Sequence, residues 1–504
     1  MDVFTHLYTG FSLVLSPQNL LYCFMGCLVG TLIGVLPGIG PVSTIAILIP
    51  FTFGLDHITA IVMICAVYYG AMYGGSTTSI LVNVPGEGAS IVTCLDGYEM
   101  AKQGRAKSAL ATAAIGSFFA GTVSAVAIMF LAIPFSWLAL KFAPPEYFAL
   151  MFLALTMVGA VSAESPLKGI FMTILGLLLA TVGSDIQTGQ VRFTFGSQDL
   201  IEGISFIVVA LGTFGISEVL AEAEKIWTSG LGEGRMQITG HYWISWNEVR
   251  QSFLPYVRGT VLGFLGGALP GVGGTASSFL AYGLEKQLSN HPEKFGKGAI
   301  EGVAAPEAAN NACSEGALMH LLVLGIPGSA TTAMMLAVFI MYGLKPGPLL
   351  FESNPDLVWA IIASLYIGNA MLFILNLPLV NLFVRILDLP KAMLESLIVA
   401  LCMLGVYATR GSVSDIYLMI GFGVIGYFLN KHDYPLAPML LALVLGDMME
   451  QGLRRSLSIS NGDWTIFFVR PITLGILFVA ALSIVYSFFK FYRRSGRDRA
   501  VIAK

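Results

Sequence analysis

Charged residues are scarce in this chain. Only 11% of its 504 residues are Asp, Glu, Lys or Arg, whereas a soluble domain contains about 25%. Hydrophobic residues make up 56% of the sequence, and its mean hydropathy is +0.79. A soluble fold of this size could not bury so much apolar surface, so we predict a protein embedded in a lipid bilayer. The net charge of −3 gives no reason to expect a nucleic-acid partner.

Cysteine provides neither a disulfide framework nor a metal site. The six cysteines form no CxxC pair, and Cys23 and Cys27 lie one helical turn apart in an apolar run. We interpret both as small packing residues. The first 22 residues lack a basic segment and a small-residue cleavage site, so they are expected to be retained rather than removed as a signal peptide.

Motifs of the common enzyme classes are also missing. The sequence has no Walker A motif, no GxSxG, no HExxH and no Cys/His set at metal-binding spacing. The stretch GFGVIG at 421–426 fits GxGxxG, but it lies in an apolar run and not between a strand and a helix. We therefore predict no enzymatic activity, and no cofactor apart from a coupling ion, H⁺ or Na⁺.

Long apolar runs are abundant. Residues 20–36, 108–134 and 357–384 contain no Asp, Glu, Lys or Arg. Because a membrane-spanning helix needs about 20 such residues, the sequence predicts an all-α polytopic membrane protein with roughly 10–14 membrane segments.

A repeat covers nearly the whole chain. GVLPGIGPVST begins at Gly34 and GALPGVGGTAS begins at Gly267, an offset of 233 residues. Pro-Gly pairs at Pro85 and Pro327 follow at an offset of 242, in the same order. We predict two copies of one unit. The predicted divisions are a first repeat at 1–227, a polar linker at 228–245, a second repeat at 246–488 and a basic tail at 489–504.

The basic loops predict that the two copies have opposite orientations in the membrane. The loop at 102–107 is basic, whereas its counterpart at 347–356 carries only acidic charges. The loop at 54–57 lacks Lys and Arg, whereas its counterpart at 286–297 has three lysines. Since basic loops face the cytoplasm, equivalent loops lie on opposite sides. The repeats are thus predicted to be inverted, with a cytoplasmic C-terminus.

The Pro-Gly stretches predict discontinuous helices and re-entrant hairpins. A break frees backbone N–H and C=O groups, which must face protein or a wet cavity. Interrupted segments at matching places in two halves indicate a transporter binding site, where half-helix N-termini attract an anion. The predicted substrate-binding residues are Gly38, Gly40, Ser43, Thr44, Ser76, Thr77, Thr78, Ser79, Asn83, Pro85, Gly86, Gly271, Gly273, Thr275, Ser277, Pro327, Gly328, Ser329, Thr331 and Thr332.

Two further interpretations concern these breaks. The unwound stretches near Gly38 and Gly271 are candidate sites for a Na⁺ ion. The ladder of Gly30, Gly34 and Gly38 also fits simple close packing of helices. No arginine falls well inside a predicted span, so an anion would be held by backbone N–H groups, hydroxyls and amides.

Ionisable residues inside a membrane are candidates for function. The segment EGVAAPEAANNACSEGALMH places Glu307, Asn310 and Asn311 on one helical face. We predict that these three couple transport to an ion; the alternative is an amphipathic helix near the headgroups. Asp447 and Glu450 precede two arginines and are interpreted as an interfacial helix end.

Four stretches resemble the large membrane subunit of the tripartite tricarboxylate transporters. They are GTLIGVLPGIGP, YYGAMYGGSTTSILVNVPGE, HPEKFGKGAIEGVAAPEAANNA and LGIPGSATTA followed by GLKPGPLLF. The stretch CSEGALMH departs from this resemblance by adding Glu315 and His320, whose roles stay open.

The resemblance implies ion-coupled uptake of di- or tricarboxylates across a bacterial inner membrane. It also implies two partners, a small membrane subunit and a periplasmic solute-binding protein that delivers the carboxylate. The residues alone leave two other functions open, a passive anion channel built on the same broken helices and a structural membrane scaffold.

Overall fold

The structure is a computed structural model. It describes residues 3–36, 40–83, 85–161, 166–185, 188–229, 244–270, 272–377, 379 and 391–485. The helices of the first half are α1 Val3–Val14, α2 Pro17–Gly34, α3 Pro41–Thr52, α4 His57–Val82, α5 Ile91–Thr93, α6 Glu99–Lys102, α7 Ala106–Ala139, α8 Pro144–Val161, α9 Pro166–Ala180, α10 Phe206–Ala210 and α11 Ser217–Ser229. Short 3₁₀ and π turns at Gly88–Ser90, Cys94–Tyr98 and Leu211–Ile216 link some of them.

The second half continues the helical pattern. Its helices are α12 Trp246–Ala268, α13 Gly273–Leu288, α14 Glu301–Leu324, α15 Ala330–Met341, α16 Leu350–Ser353, α17 Pro355–Asn376, α18 Lys391–Arg410, α19 Val413–Lys431, α20 Leu436–Ile459, α21 Ile466–Val469 and α22 Pro471–Val485. A 3₁₀ turn covers Pro292–Lys294. A two-residue hairpin, β1 Gly183–Ser184 with β2 Val191–Arg192, is the β-structure of the described residues.

Many of these helices can cross a membrane. Within the described ranges, seven are both long and apolar enough to span a bilayer. They are α2, α4, α7, the continuous segment Phe206–Glu224, α17, α19 and α20. The prediction of an all-α polytopic membrane protein is therefore confirmed.

The centre of the molecule is formed by α4 and α14. Almost every residue of α4 is buried, and α14 is buried from Gly302 to Val323. The sequence of α14 is rich in Ala and Gly and only weakly apolar. Small side chains let neighbouring backbones approach closely, which explains how so polar a helix packs at the centre.

Glycines pack the flanking helices onto these two central helices. A β-carbon at Gly30 of α2 would overlap the Val67 carbonyl of α4, and one at Gly263 of α12 would overlap the Ala309 carbonyl of α14. The offsets between these partners are 233 and 242 residues, the same offsets that relate the Pro-Gly motifs. The close-packing interpretation of Gly30 is thus observed, and the same contact recurs in the second half.

The halves also interlock in a reciprocal way. Helix α3 of the first half packs against α15 of the second, and α13 of the second half packs against residues 88–93 of the first. Helix α7 crosses α14, while α17 crosses α4. A peripheral group of α8, α9 and α20 lies beside this centre.

Basic loops from both halves meet at one end of the molecule. Arg105 forms an ion pair with Glu248 at 2.9 Å, and the Gln103 side chain donates to the Lys297 carbonyl at 2.8 Å. Asp96 is fully buried and accepts backbone N–H groups of residues 296, 298 and 299 at 2.8–2.9 Å. The loops at 102–107 and 286–297 therefore lie at the same end of the molecule.

The predicted divisions of the chain can be placed in part. Helix α11 ends at Ser229 and α12 begins at Trp246, the first residue of the predicted second repeat. Most of the predicted linker, 230–243, and the basic tail at 489–504 lie outside the described residues.

Candidate functional site

Two helix breaks in the centre of the fold have the same geometry. Helix α4 ends at Asn83, which is left-handed (φ 58°, ψ 27°), and α14 ends at Gly325, which is left-handed as well (φ 70°, ψ 15°). Two residues after each of them comes a Pro-Gly pair, and then an extended N-cap, Glu87 (φ −150°, ψ 167°) or Ser329 (φ −148°, ψ 166°). Asn and Gly tolerate the left-handed conformation that ends each helix.

Each new helical segment begins with a capping box. The Glu87 carboxylate accepts the Ala89 N–H at 3.0 Å, and the Ser90 hydroxyl reaches back to the Glu87 backbone. Ser329 and Thr332 exchange the corresponding bonds at 3.2 and 2.9 Å. Backbone groups freed by the breaks are thus satisfied locally, as they must be inside a membrane.

The remaining two breaks lie beside these. Gly86 packs against the carbonyl of Gly34 at the end of α2. Gly328 packs against Gly267 in the last turn of α12 and against Pro270 just after that helix. Helix α3 resumes after an extended Gly40. The structure thus brings the predicted breaks together at the centre. Pro37, Gly38 and Gly271, with the Na⁺ sites predicted near them, lie outside the described residues.

At the breaks the two halves meet in a partly exposed region, which we call the crevice. Gly88 and Asn83 are exposed, although the helices on both sides of them are buried. Other break residues are half-buried: Gly40, Pro85, Glu87, Gly273, Thr275 and Ser329. Across the crevice, a β-carbon at Gly88 would lie 2.8 Å from the Thr275 hydroxyl. Polar groups of both halves, Thr275 among them, therefore lie in this partly exposed region.

Glu307 is the most deeply placed carboxylate at this site. Its side chain is completely buried, and its two oxygens accept the hydroxyls of Ser76, at 2.5 Å, and of Thr93. Ser76 was predicted as a site residue and Glu307 as an ion-coupling residue; the structure places them in direct contact.

A second carboxylate, Glu87, also faces α14, the helix that carries Glu307. Asn310 Nδ2 donates to Glu87 Oε1 at 2.9 Å, and the other amide atom, Asn310 Oδ1, is buried without a hydrogen-bond partner. Asn311 points the other way and donates to Ser117 at 2.6 Å. Of the three predicted coupling residues, Glu307 and Asn310 therefore bond to residues beside the first break. Asn311 instead bonds to α7.

Neither carboxylate has a basic partner in the described part of the chain. The ion pairs that the described residues do form involve other carboxylates, for example Arg258 with Glu285 and Arg470 with Glu146. An isolated buried charge is strongly unfavourable. The hydrogen bonds that the two carboxylates accept are therefore the compensation that the structure shows for them.

The other predicted hydroxyls bond mainly to backbone. Ser43 donates to the Phe214 carbonyl, and Thr44 and Ser277 each donate within their own helix. Thr78 and Ser79 both donate to the Gly75 carbonyl, while Thr77 and Thr331 are buried. The hydrogen bonds donated by these five hydroxyls therefore go to backbone carbonyls and not to Glu307 or Glu87.

Three residues at the site were missed by the sequence reasoning. Glu87 reads as an ordinary loop acid after Pro-Gly, and Thr93 follows it in a short helical turn. Tyr68, whose side chain lies near Ser329, reads as a core aromatic of α4. The repeat could have found two of them, because Glu87 matches Ser329, and Tyr68 matches Asn310, at an offset of 242.

The ionisable residues with open roles lie apart from Glu307. His320 Nδ1 lies 2.7 Å from the Ile326 carbonyl, beside the second break, and Glu315 is buried farther along α14. Glu450 pairs with Arg192 and Arg454 at the edge of a cavity of about 550 Å³, which Asp447 also lines.

Comparisons with known proteins found two uncharacterized relatives. An uncharacterized 52.8 kDa protein in the TAR-I ttuC' 3'region of Agrobacterium vitis is 46% identical over 502 residues, covering 100% of this chain and 99% of the relative. An uncharacterized protein in the TAR-II ttuC' 3'region of the same organism is 42% identical over 240 residues, 48% of this chain and 99% of the relative. No solved structure matches the chain.

A family model provides the assignment. The model of the tripartite tricarboxylate transporter TctA family matches residues 20–441, which include both Pro-Gly repeats and the crevice. This is a transporter family, so the prediction of a transporter and not an enzyme is confirmed. The chain belongs to the TctA family of tripartite tricarboxylate transporters.

Proposed function

We propose that this protein carries out ion-coupled secondary uptake of di- or tricarboxylates. It acts as the large permease subunit and works with a small membrane subunit and a periplasmic solute-binding protein. The protein lies in a bacterial inner membrane with its C-terminus in the cytoplasm, and its two repeats are inverted. The family assignment supports the transport of carboxylates, and the reciprocal packing of the halves supports the repeats.

The observation that carries the coupling is the pair of carboxylates at the breaks. Glu87 and Glu307 lie beside the crevice without a basic partner among the described residues. A polyanionic substrate that enters this crevice would meet two like charges. Two like unit charges 4 Å apart repel by about 4 kcal/mol at an effective dielectric constant near 20. Binding of protons or a cation removes this repulsion, so substrate and ion enter together.

The polar lining of the crevice supplies the attraction for the substrate. Helices α3, α13 and α15 begin at the breaks, and their N-terminal N–H groups and dipoles favour an anion. Thr275 and Ser329 are half-buried residues at two of these helix starts. Each hydrogen bond to a charged carboxylate contributes about 1.5–3 kcal/mol. Such donors can hold a carboxylate without an arginine, once the two glutamates are neutralised.

Uptake into vesicles tests this function. Membrane vesicles that contain both membrane subunits receive the binding protein and a labelled acid such as citrate. Coupled uptake predicts accumulation above the external concentration, in sodium-containing or in sodium-free buffer with a proton gradient. Equilibration without accumulation would instead indicate the passive anion channel.

A further inference from the structure

We propose that Asp96 is a gating residue, whose carboxylate holds the two halves together between the crevice and the end of the molecule where the basic loops meet. The inference rests on the proposed function only in taking the crevice as the transport site. It adds a residue that controls the exit of the substrate from the crevice toward that end.

Two segments run side by side from the crevice to this end. Residues 88–99 of the first half begin at the exposed Gly88 and lead to the basic loop at 102–107. Helix α13 of the second half begins at Gly273 and leads to the basic loop at 286–297. Helix α13 packs against the first turns of the other segment. A solute that passes between the halves toward this end must therefore separate the two segments.

Asp96 bonds both to α13 and to the loop that follows it. The Tyr282 hydroxyl of α13 donates to Asp96 Oδ2 at 2.9 Å. Asp96 Oδ1 accepts the backbone N–H groups of residues 296, 298 and 299 at 2.8–2.9 Å. The side chain is fully buried, and hydrogen bonds to a charged group are about twice as strong as those between neutral groups. One carboxylate of the first half therefore fastens two parts of the second half.

The loop of the second half has a backbone that suits an anion. Gly296 and Gly298 are left-handed, with φ of 80° and 94°, a conformation in which neighbouring N–H groups can converge on a single acceptor. In the first turn of α14, a β-carbon at Gly302 would lie 2.2 Å from Asp96 Oδ2. Glycine at that position leaves the room that the carboxylate occupies, so the fit depends on both halves.

The equivalent contact formed by the other pair of segments has no carboxylate. At offsets of 242 and 233, α15 corresponds to residues 88–99, and α3 corresponds to residues 274–285. Asp96 matches Val338, which is apolar. Where α15 ends, the Tyr342 hydroxyl donates to a carbonyl at the end of α3. The carboxylate bonds therefore hold one of the two equivalent contacts, and the other lacks them at the matching position.

Accessibility of a cysteine in the crevice tests the gate. Thr275→Cys places a thiol in the crevice, and Cys94→Ser removes the half-buried native cysteine near Asp96. The full-length protein in membrane vesicles is treated with an impermeant maleimide from the side at which Lys294→Cys reacts. We expect Asp96→Asn to raise the labelling rate at residue 275 by about tenfold, and Tyr282→Phe to raise it by a smaller factor, because each variant weakens the closed contact.

Glu146→Gln is the matched control. Glu146 is also a buried carboxylate with three donors, Arg470, Thr473 and the Ala143 N–H, but it lies at the start of the peripheral helix α8. We expect it to lower the unfolding temperature, as Asp96→Asn should, and to leave the labelling of residue 275 unchanged. Loss of stability alone is thereby separated from opening of the gate.

The outcomes also separate this inference from the proposed function. Unchanged labelling in Asp96→Asn would overturn the gate, as would an equal increase in Glu146→Gln. If Asp96→Asn does not fold, Tyr282→Phe decides in its place, because it removes one hydroxyl and keeps the carboxylate. The labelling needs no substrate, so its result holds even if vesicles fail to accumulate the acid. Such a failure would overturn coupled uptake and leave the gate standing.

Discussion

Asn310 donates a hydrogen bond to Glu87 across 223 positions of sequence, and this bond joins the two halves at a helix break. At an offset of 242 the corresponding residues are Tyr68 and Ser329, whose side chains lie near each other. Each central helix therefore contacts the N-cap of the break in the other half. Because one contact contains a carboxylate and the other does not, the two sides of the crevice differ in charge although their backbones match.

Removing the charge of Glu87 should uncouple transport. Glu87→Gln keeps the size of the side chain but no longer repels an anion or requires a cation. We expect downhill flux of the carboxylate to continue while accumulation falls about tenfold or more, equivalent to about 1.4 kcal/mol of coupling. The measurement is labelled-acid uptake into vesicles with an imposed gradient. Glu352→Gln, in the loop at 347–356, is the control, and unchanged accumulation in Glu87→Gln would contradict the role given to this carboxylate.

Loss of the Ser329 cap should weaken substrate binding. Ser329→Ala removes a hydroxyl from the crevice and also breaks a capping box, which costs about 1 kcal/mol of stability. Ser245→Ala breaks the same type of capping box at the start of α12, outside the crevice. We expect both variants to lose similar stability, but only Ser329→Ala to raise the KM for the acid. Equal KM values in the two variants would show that Ser329 acts only as a cap.

Equivalent glycines of the two repeats should respond alike. Gly30→Ala and Gly263→Ala each force a methyl group into a carbonyl of the neighbouring central helix. Overpacking of this kind costs about 1–3 kcal/mol, so both should lower the unfolding temperature. Gly421→Ala is the control, because nothing lies within 4 Å of its added β-carbon. Alanine favours a helix by up to about 1 kcal/mol over glycine, and this variant should be neutral or more stable. Opposite effects of Gly30→Ala and Gly263→Ala would contradict the equivalence.

Single cysteines should report the orientation of the loops. Lys102→Cys and Lys294→Cys lie at the end where the basic loops meet, and we expect both to be labelled only from the cytoplasm. Glu352→Cys should be labelled only from the periplasm. The native cysteines among the described residues are buried or half-buried, so their background reaction with an impermeant maleimide should be low. Labelling of residues 102 and 352 from the same side would contradict the inverted arrangement.

Much of this fold could be predicted because helix breaks have a local chemical signature. Pro85-Gly86 and Pro327-Gly328 interrupt apolar runs, and the structure breaks the helices at those places. Gly30 and Gly263 are also related by the offset of the internal repeat, and the structure gives them equivalent contacts. The role of Glu87 could not be predicted in the same way, because its partner Asn310 is remote in sequence and nothing local distinguishes a site carboxylate from a loop acid.

The hydrogen-bond partners of the hydroxyl side chains could not be predicted from the sequence either. Ser76 and Ser79 lie on the same helix with similar surroundings in sequence, yet Ser76 donates to Glu307 and Ser79 donates to its own backbone. Which hydroxyl faces the site depends on how α4 is rotated against α14. That rotation is set by tertiary packing of glycines and alanines, which a single sequence does not reveal.

Collapse of the ion gradient during uptake tests the central claim most directly. Vesicles that contain the complete transporter are loaded to steady state with labelled carboxylate under combined Na⁺ and proton gradients, and ionophores that dissipate both are then added. Ion-coupled uptake predicts accumulation above the external concentration before the addition and efflux to equilibrium after it. A label that never exceeds the external concentration, and that does not respond to the ionophores, would contradict coupled transport and identify a passive pathway.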